Sequence, residues 1–290
     1  MLEVRDLSIS FAGTTVVDRV SFSVAPGERV CLIGESGSGK SLTALAIDGL
    51  LPASAQVTGS ILFRGAQIVG AGEAQLQNIR GEQIGFVFQE PHTALNPVLR
   101  VEKQIVAALA QHRRLRRKDR RAAARQLARG VGLPESIVER FPHQLSGGQR
   151  QRVVIAMAMS CQPSLLIADE PTTALDATVQ RRIVDLMMNA TQQHGTSLLM
   201  ITHDMALAAH TAQRLIVMRQ GEIVEEGRTL DVLRYPRAEY TKTLINAARR
   251  SSPQLGDSAS CAEPSCAEPS CAGWPGGSHG MYDAEKKGNS

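Results

Sequence analysis

The sequence predicts an α/β protein with a parallel-sheet core, on three observations. Residues 165–168 and 198–201 are continuous apolar runs, as strands covered on both faces require, and the helical stretch 179–193 between them makes a strand–helix–strand unit. The first 64 or so residues instead alternate short apolar runs with turn residues. From about residue 101 to 161 the pattern turns helical and rich in Ala, Leu, Arg and Gln, which predicts a helical lobe inserted between the two strand regions.

Taken in order, residues 7–11, 20–24 and 30–33 read as strands of one strand-rich first lobe, with Pro26 and Gly27 as a turn. A helix is expected over 42–50 and a strand over 84–88. Beyond the strand–helix–strand unit, residues 221–227 read as a hairpin arm, and a last helix is expected near 237–249. One folded unit of 1–250 follows, with its helical part about 91–161. Residues 251–290 carry a repeated Ser-Cys-Ala-Glu-Pro (260–264 and 265–269) and frequent Pro, Gly and Ser, a composition that cannot offset the entropy of ordering, so a disordered tail is expected.

The 290 residues suffice for a core without disulfides or metals. A hydrophobic content of 43% with 21% charged residues is that of a soluble enzyme, and 3% aromatic content argues against stacking-based nucleic-acid binding. The net charge of +4 is concentrated in Arg113, Arg114, Arg116, Arg117, Lys118, Arg120 and Arg121, read as a solvated helix face. No stretch has the run of about 20 apolar residues needed to span a bilayer, and the first residues lack the order of a signal peptide, so a cytoplasmic chain is expected. Cys31 and Cys161 fall in apolar stretches and read as small core residues, while Cys261, Cys266 and Cys271 lie in the tail.

Gly34-Glu35-Ser36-Gly37-Ser38-Gly39-Lys40-Ser41 is a full phosphate-binding loop pattern, placed after an expected strand and before an expected helix. Its glycines let backbone amides turn toward phosphate oxygens, Lys40 supplies a cation and the Ser41 hydroxyl a ligand for Mg2+. The strand at 165–168 ends in Asp169 and Glu170, one carboxylate suited to a metal shell and the next to an attacking water. Between these, Ser146-Gly147-Gly148-Gln149 opens a helix whose first amides can face an anion.

The phosphate loop, Leu145-Ser146-Gly147-Gly148-Gln149, Asp169-Glu170-Pro171 and His203, in that order in one chain, resemble the ATP-binding-cassette ATPases over residues 1 to about 250. The resemblance implies a P-loop NTPase with a RecA-like core, an N-terminal antiparallel β subdomain and an inserted helical subdomain. It implies ATP and Mg2+ as ligands, with Phe11 stacking on adenine, Gln89 sensing metal and membrane subunits, and His203 contacting the γ-phosphate. Phe11 also has a packing reading. Catalysis falls to Glu170, His203 and Gln89, and metal binding to Ser41, Gln89 and Asp169. Residues 146–149 and Asp176 would complete the ATP site of a second subunit, a copy or a paralogue, paired head to tail.

Two stretches, 88–97 and 168–176, look like the subfamily that energises import of dipeptides, oligopeptides and nickel. Tyr235 to Thr241 is similar to that subfamily's His-Pro-Tyr-Thr segment, with Ala-Glu in place of His-Pro. The implied partners are two transmembrane permease subunits and an extracytoplasmic solute-binding protein, with no nucleic acid, and the implied place is the cytoplasmic face of the membrane. An exporter energiser remains an alternative, as does, more distantly, a soluble cassette outside transport. The tail cysteines lack the Pro-Arg-Cys flanks of an iron-sulfur domain and are read as a simple repeat.

Overall fold

A computed structural model of the chain describes residues 1–89, 94–113, 115–172 and 177–251. The expected tail, apart from Ser251, lies outside the described residues.

Among the described residues ten strands form two sheets: β1 (Leu2–Phe11), β2 (Thr14–Val24), β3 (Arg29–Ile33), β4 (Ala55–Phe63), β5 (Ala66–Gln67), β6 (Ile84–Val87), β7 (Leu165–Asp169), β8 (Ser197–Thr202), β9 (Arg214–Arg219) and β10 (Glu222–Arg228). The first sheet, ordered β2-β1-β4-β5, is antiparallel; the second, ordered β10-β9-β3-β8-β7-β6, is parallel except for the β9–β10 hairpin. The helices are α1 (Lys40–Ile47), α2 (Glu73–Gln77), α3 (Val101–Ile105), α4 (Ala107–His112), α5 (Arg120–Gly130), α6 (Gly147–Met159), α7 (Ala177–His194), α8 (Met205–Thr211), α9 (Thr229–Arg234) and α10 (Glu239–Ser251).

Apart from its exposed edge strand β10, the second sheet is buried on both faces. Val30, Leu32, Leu165, Ile167, Leu199 and Ile201 point into a cluster shared with β1, β2, β4 and α1. Their neighbours Cys31, Ile33, Leu166, Ala168, Leu198 and Met200 point into the opposite cluster, under α3, α5, α6 and α7. At about 25 cal/mol per Å2 of apolar surface, each fully covered Leu or Ile stabilises the fold by roughly 1.5–3 kcal/mol.

One sequence expectation is corrected here. Residues 30–33 do not join a strand-rich first lobe: β3 leaves the antiparallel sheet and lies in the parallel one, between β8 and β9. The physical reason is its burial, continuous from Val30 to Ile33, where the exposed strands of the first sheet alternate. Cys31 and Cys161 are buried as expected, and burial pushes both thiols up in pKa. In the basic run, Arg113 faces Glu82 at 3.7 Å and Arg121 pairs with Glu139, while Arg116, Arg117, Lys118 and Arg120 are exposed. Exposed pairs of this kind contribute little stability.

The end of α1 carries a cost. Asp48 is only 5% exposed, and its Oδ1 has no hydrogen-bond partner. Burial holds its carboxyl up at about 7, against the attraction of Arg80. An unfolded Asp titrates near about 4, so between about pH 4 and 7 the folded chain binds a proton that the unfolded chain does not. Folding stability attributable to Asp48 therefore rises as the pH falls from 8 to 5. Urea unfolding at the two pH values is expected to show this gain, on the order of 2 kcal/mol, and Asp48→Asn should remove most of it.

Candidate functional site

The polar groups singled out in the sequence gather at the carboxyl ends of four adjacent strands, where the apolar strand bodies stop and backbone and side chains can meet solvent. In sheet order β3 leads into the phosphate loop, β8 ends beside His203, β7 ends in Asp169 and Glu170, and β6 runs out at Gln89.

The loop closes around its own lysine. Lys40 is 4% exposed, and its Nζ donates to the carbonyl oxygens of Gly34 at 2.9 Å and Glu35 at 2.7 Å, and to Ser38 Oγ at 3.3 Å. Burial lowers the pKa of Lys40, opposed by the nearby Glu170 and Asp169. Two glycines make the loop possible. A Cβ on Gly34 would stand 2.2 Å from the backbone oxygen of Met218, and Gly39 caps α1 at φ 96°, in the left-handed region, with Val17 against it.

Ser41 Oγ donates to Asp169 Oδ1 at 3.0 Å. Burial raises the Asp169 carboxyl above its usual range, Glu170 adds to that, and the Ser41 hydrogen bond and Lys40 oppose it. A hydroxyl and a carboxylate are hard oxygen donors, and two protein ligands completed by phosphate and water suit Mg2+. Among the described residues no cluster of three or more His, Cys, Asp or Glu could hold a metal by itself. The donor set fits a metal that arrives with a phosphate ligand.

Glu170 sits in the left-handed region at φ 42°, with its N–H donating to Ile201 O at 2.9 Å. Non-glycine residues avoid that region, and such strain concentrates at working sites. Each of its carboxylate oxygens has a partner: Gln89 Nε2 donates to Oε2 at 3.1 Å, and His203 Nδ1 lies 3.1 Å from Oε1. Three strand ends thus meet on one carboxylate.

Other expected site residues stand apart. Phe11 ends β1, half-buried against the cluster between the two sheets, and Ser36 and Gly37 form the loop's outer turn. Ser146 caps α6: its Oγ accepts the Gln149 N–H at 3.3 Å, and the Gln149 side chain accepts the Ser146 N–H at 3.1 Å. This reciprocal cap fixes the turn. Ser146 is exposed, and no acidic side chain lies in the first turn of α6. Among the described residues, nothing bonds the Ser146 turn to the Lys40 loop. Asp176 lies outside the described residues.

One residue at the loop was not singled out for a role there. Tyr240, in α10, accepts the Glu35 N–H on its hydroxyl at 2.9 Å. The only sequence signal was its place in the segment Tyr235 to Thr241.

Comparison with known proteins finds relatives in both sequence and fold. A family described as ABC transporter matches residues 17–173. The chain is 45% identical over 267 residues to a peptidoglycan transport ATP-binding protein of Agrobacterium fabrum, covering 89% of this chain but only 49% of that protein, so it spans about half of that relative's length. It is 44% identical over 253 residues to an oligopeptide transport ATP-binding protein of Bacillus subtilis, covering 84% of this chain and 71% of that one. With a dipeptide transport ATP-binding protein of Escherichia coli it shares 43% identity over 254 residues, 85% of this chain and 78% of the relative. A dimeric ATP-binding cassette solved in a post-hydrolysis state with ADP and Pi superposes with a TM-score of 0.71 at 29% identity, over 79% of this chain and 99% of the other. A part of an ABC transporter complex from Clostridium perfringens gives 0.70 at 26%, over 88% and 96%.

The Ser146–Gln149 cap yields a stability test. Ser146→Ala leaves the Gln149 N–H without its acceptor and should lower unfolding free energy by about 1 kcal/mol, with Ser146→Asp largely restoring it. Urea denaturation of the three chains measures this, and equal midpoints would mean that the cap is open in solution.

Proposed function

The chain belongs to the ABC transporter family and is an ATPase of that family, and on that premise we propose that it energises a multisubunit importer for peptides or a related small solute such as nickel. The observation that carries the mechanism is the Glu170 carboxylate, held between Gln89 and His203 at the edge of the phosphate loop. The names of its relatives, which transport dipeptides and oligopeptides, support the cargo class.

In this reading ATP lies with its phosphates over the loop amides and Phe11 against the adenine. Lys40, held in place by the loop carbonyls of Gly34 and Glu35, offsets charge as it develops on the γ-phosphoryl group. Ser41, Asp169 and Gln89 would hold Mg2+, which when bound would neutralise phosphate charge. Glu170 orients a water for in-line attack and takes its proton, the bond from phosphorus to the bridging oxygen breaks, and ADP and phosphate leave. His203 steadies Glu170 and meets the γ-phosphate.

Ser146, Gly147 and Gly148, together with Asp176, serve the site of a second ATPase subunit, a copy or a paralogue, and receive the same from it. The exposed Ser146 turn, whose amides make a favourable place for an anion, supports that pairing. Two permease subunits and an extracytoplasmic binding protein complete the assembly, with this chain peripheral on the cytoplasmic face. No helix among the described residues is long and apolar enough to cross a membrane.

The test is ATP hydrolysis by the chain alone and assembled with the membrane proteins that co-purify with it. Turnover should rise on assembly, and Glu170→Gln should cut it by on the order of 100-fold or more while ATP still binds. Lys40→Ala should abolish binding. In vesicles carrying the assembly, a labelled dipeptide should accumulate only with ATP, and ATP-driven efflux would instead mark an exporter.

A further inference from the structure

The first peptide group of the phosphate loop, the carbonyl of Gly34 with the N–H of Glu35, is gripped at both ends. From inside, Lys40 Nζ donates to the Gly34 oxygen at 2.9 Å. From outside, the Glu35 N–H donates to the hydroxyl of Tyr240 at 2.9 Å, across a sequence separation of 205 residues. The phenol is well placed to hold still. Tyr240 is 8% exposed and belongs to the helix-side core cluster, and the Arg219 guanidinium lies 5.0 Å from its ring centroid.

The support behind Tyr240 returns to the same loop. Arg219 ends β9 and follows Met218, whose carbonyl oxygen packs against Gly34, while Gly221 donates its N–H to Ser38 O at 3.2 Å. In β10, Glu225 accepts the N–H groups of Arg237 at 2.8 Å and Ala238 at 3.0 Å, which fixes the approach to α10. The hairpin and the last helix therefore form a rigid outer wall to the loop.

The acceptors of Lys40 are loop atoms, so the direction of its amino group follows the plane of the Gly34–Glu35 peptide. That plane can rotate about its two flanking bonds unless its N–H is tied. We propose that Tyr240 is a positioning residue for Lys40, its hydroxyl fixing the first peptide of the phosphate loop so that the site's affinity for phosphates depends on α10. This rests on the reading of the loop as an ATP site.

Tyr240→Phe is the informative change. It keeps the ring, its packing and the contact with Arg219, and removes the hydroxyl that accepts the Glu35 N–H and also meets the Glu35 side chain. Equilibrium binding of a fluorescent ATP analogue to the full chain should weaken by roughly 3- to 10-fold. In the assembled ATPase the KM for ATP should rise by a similar factor, with the effect falling on KM and not on kcat. A purely structural role would lower the unfolding temperature and leave KM, measured well below that temperature, where it was. Unchanged Kd and KM in Tyr240→Phe overturn the proposal, whatever happens to kcat or stability. Failure of the wild-type chain to bind the analogue, or binding by Lys40→Ala equal to the wild type, overturns instead the reading of the loop.

Discussion

A parallel sheet that is apolar on both faces leaves polar chemistry only one place to go. Along β3, β7 and β8 nearly every side chain is withdrawn from water, alternately toward the antiparallel sheet and toward the helices. An unpaired charge in that interior would cost several kcal/mol, so charged and hydrogen-bonding groups collect where the strands end. Because β3, β8, β7 and β6 are neighbours in that order, their ends bring a lysine, a histidine, two carboxylates and a glutamine within reach of one another. The fold's stability and its site thus come from the same constraint.

Even at the strand ends, groups withdrawn from water need partners. Lys40 meets loop carbonyls, Asp169 meets the Ser41 hydroxyl, and Glu170 meets Gln89 and His203. In each of these contacts the partner is a backbone carbonyl or a carboxylate within the site itself. The left-handed backbone at Glu170 shows local comfort yielding to side-chain direction. Asp48 is a different case: it is buried with an oxygen unsatisfied, no partner in the site explains it, and its cost falls on stability.

Much of the site was legible because its parts are local patterns with local causes. A glycine-rich loop between strand and helix, two carboxylates closing an apolar strand and a Ser-x-x-Gln turn opening a helix all act over fewer than ten residues. The reciprocal cap of Ser146 and Gln149 shows a limit of such reading, since the glutamine of that pattern is engaged within its own turn. The placement of β3 shows another. Periodicity marks a short apolar run as a strand but does not name its sheet, and residues 30–33 were grouped with the wrong neighbours for that reason.

By itself the sequence determined many of the element types, the parallel core and the motif residues that gather at the strand ends, because propensity, apolar spacing and turn chemistry act between residues close along the chain. The tertiary structure alone decided which strand ends lie side by side, how Gln89 and His203 come to share one carboxylate, and that Tyr240 holds a peptide 205 residues away. Those are contacts between distant segments, set by which faces must be covered together, and no local pattern encodes them.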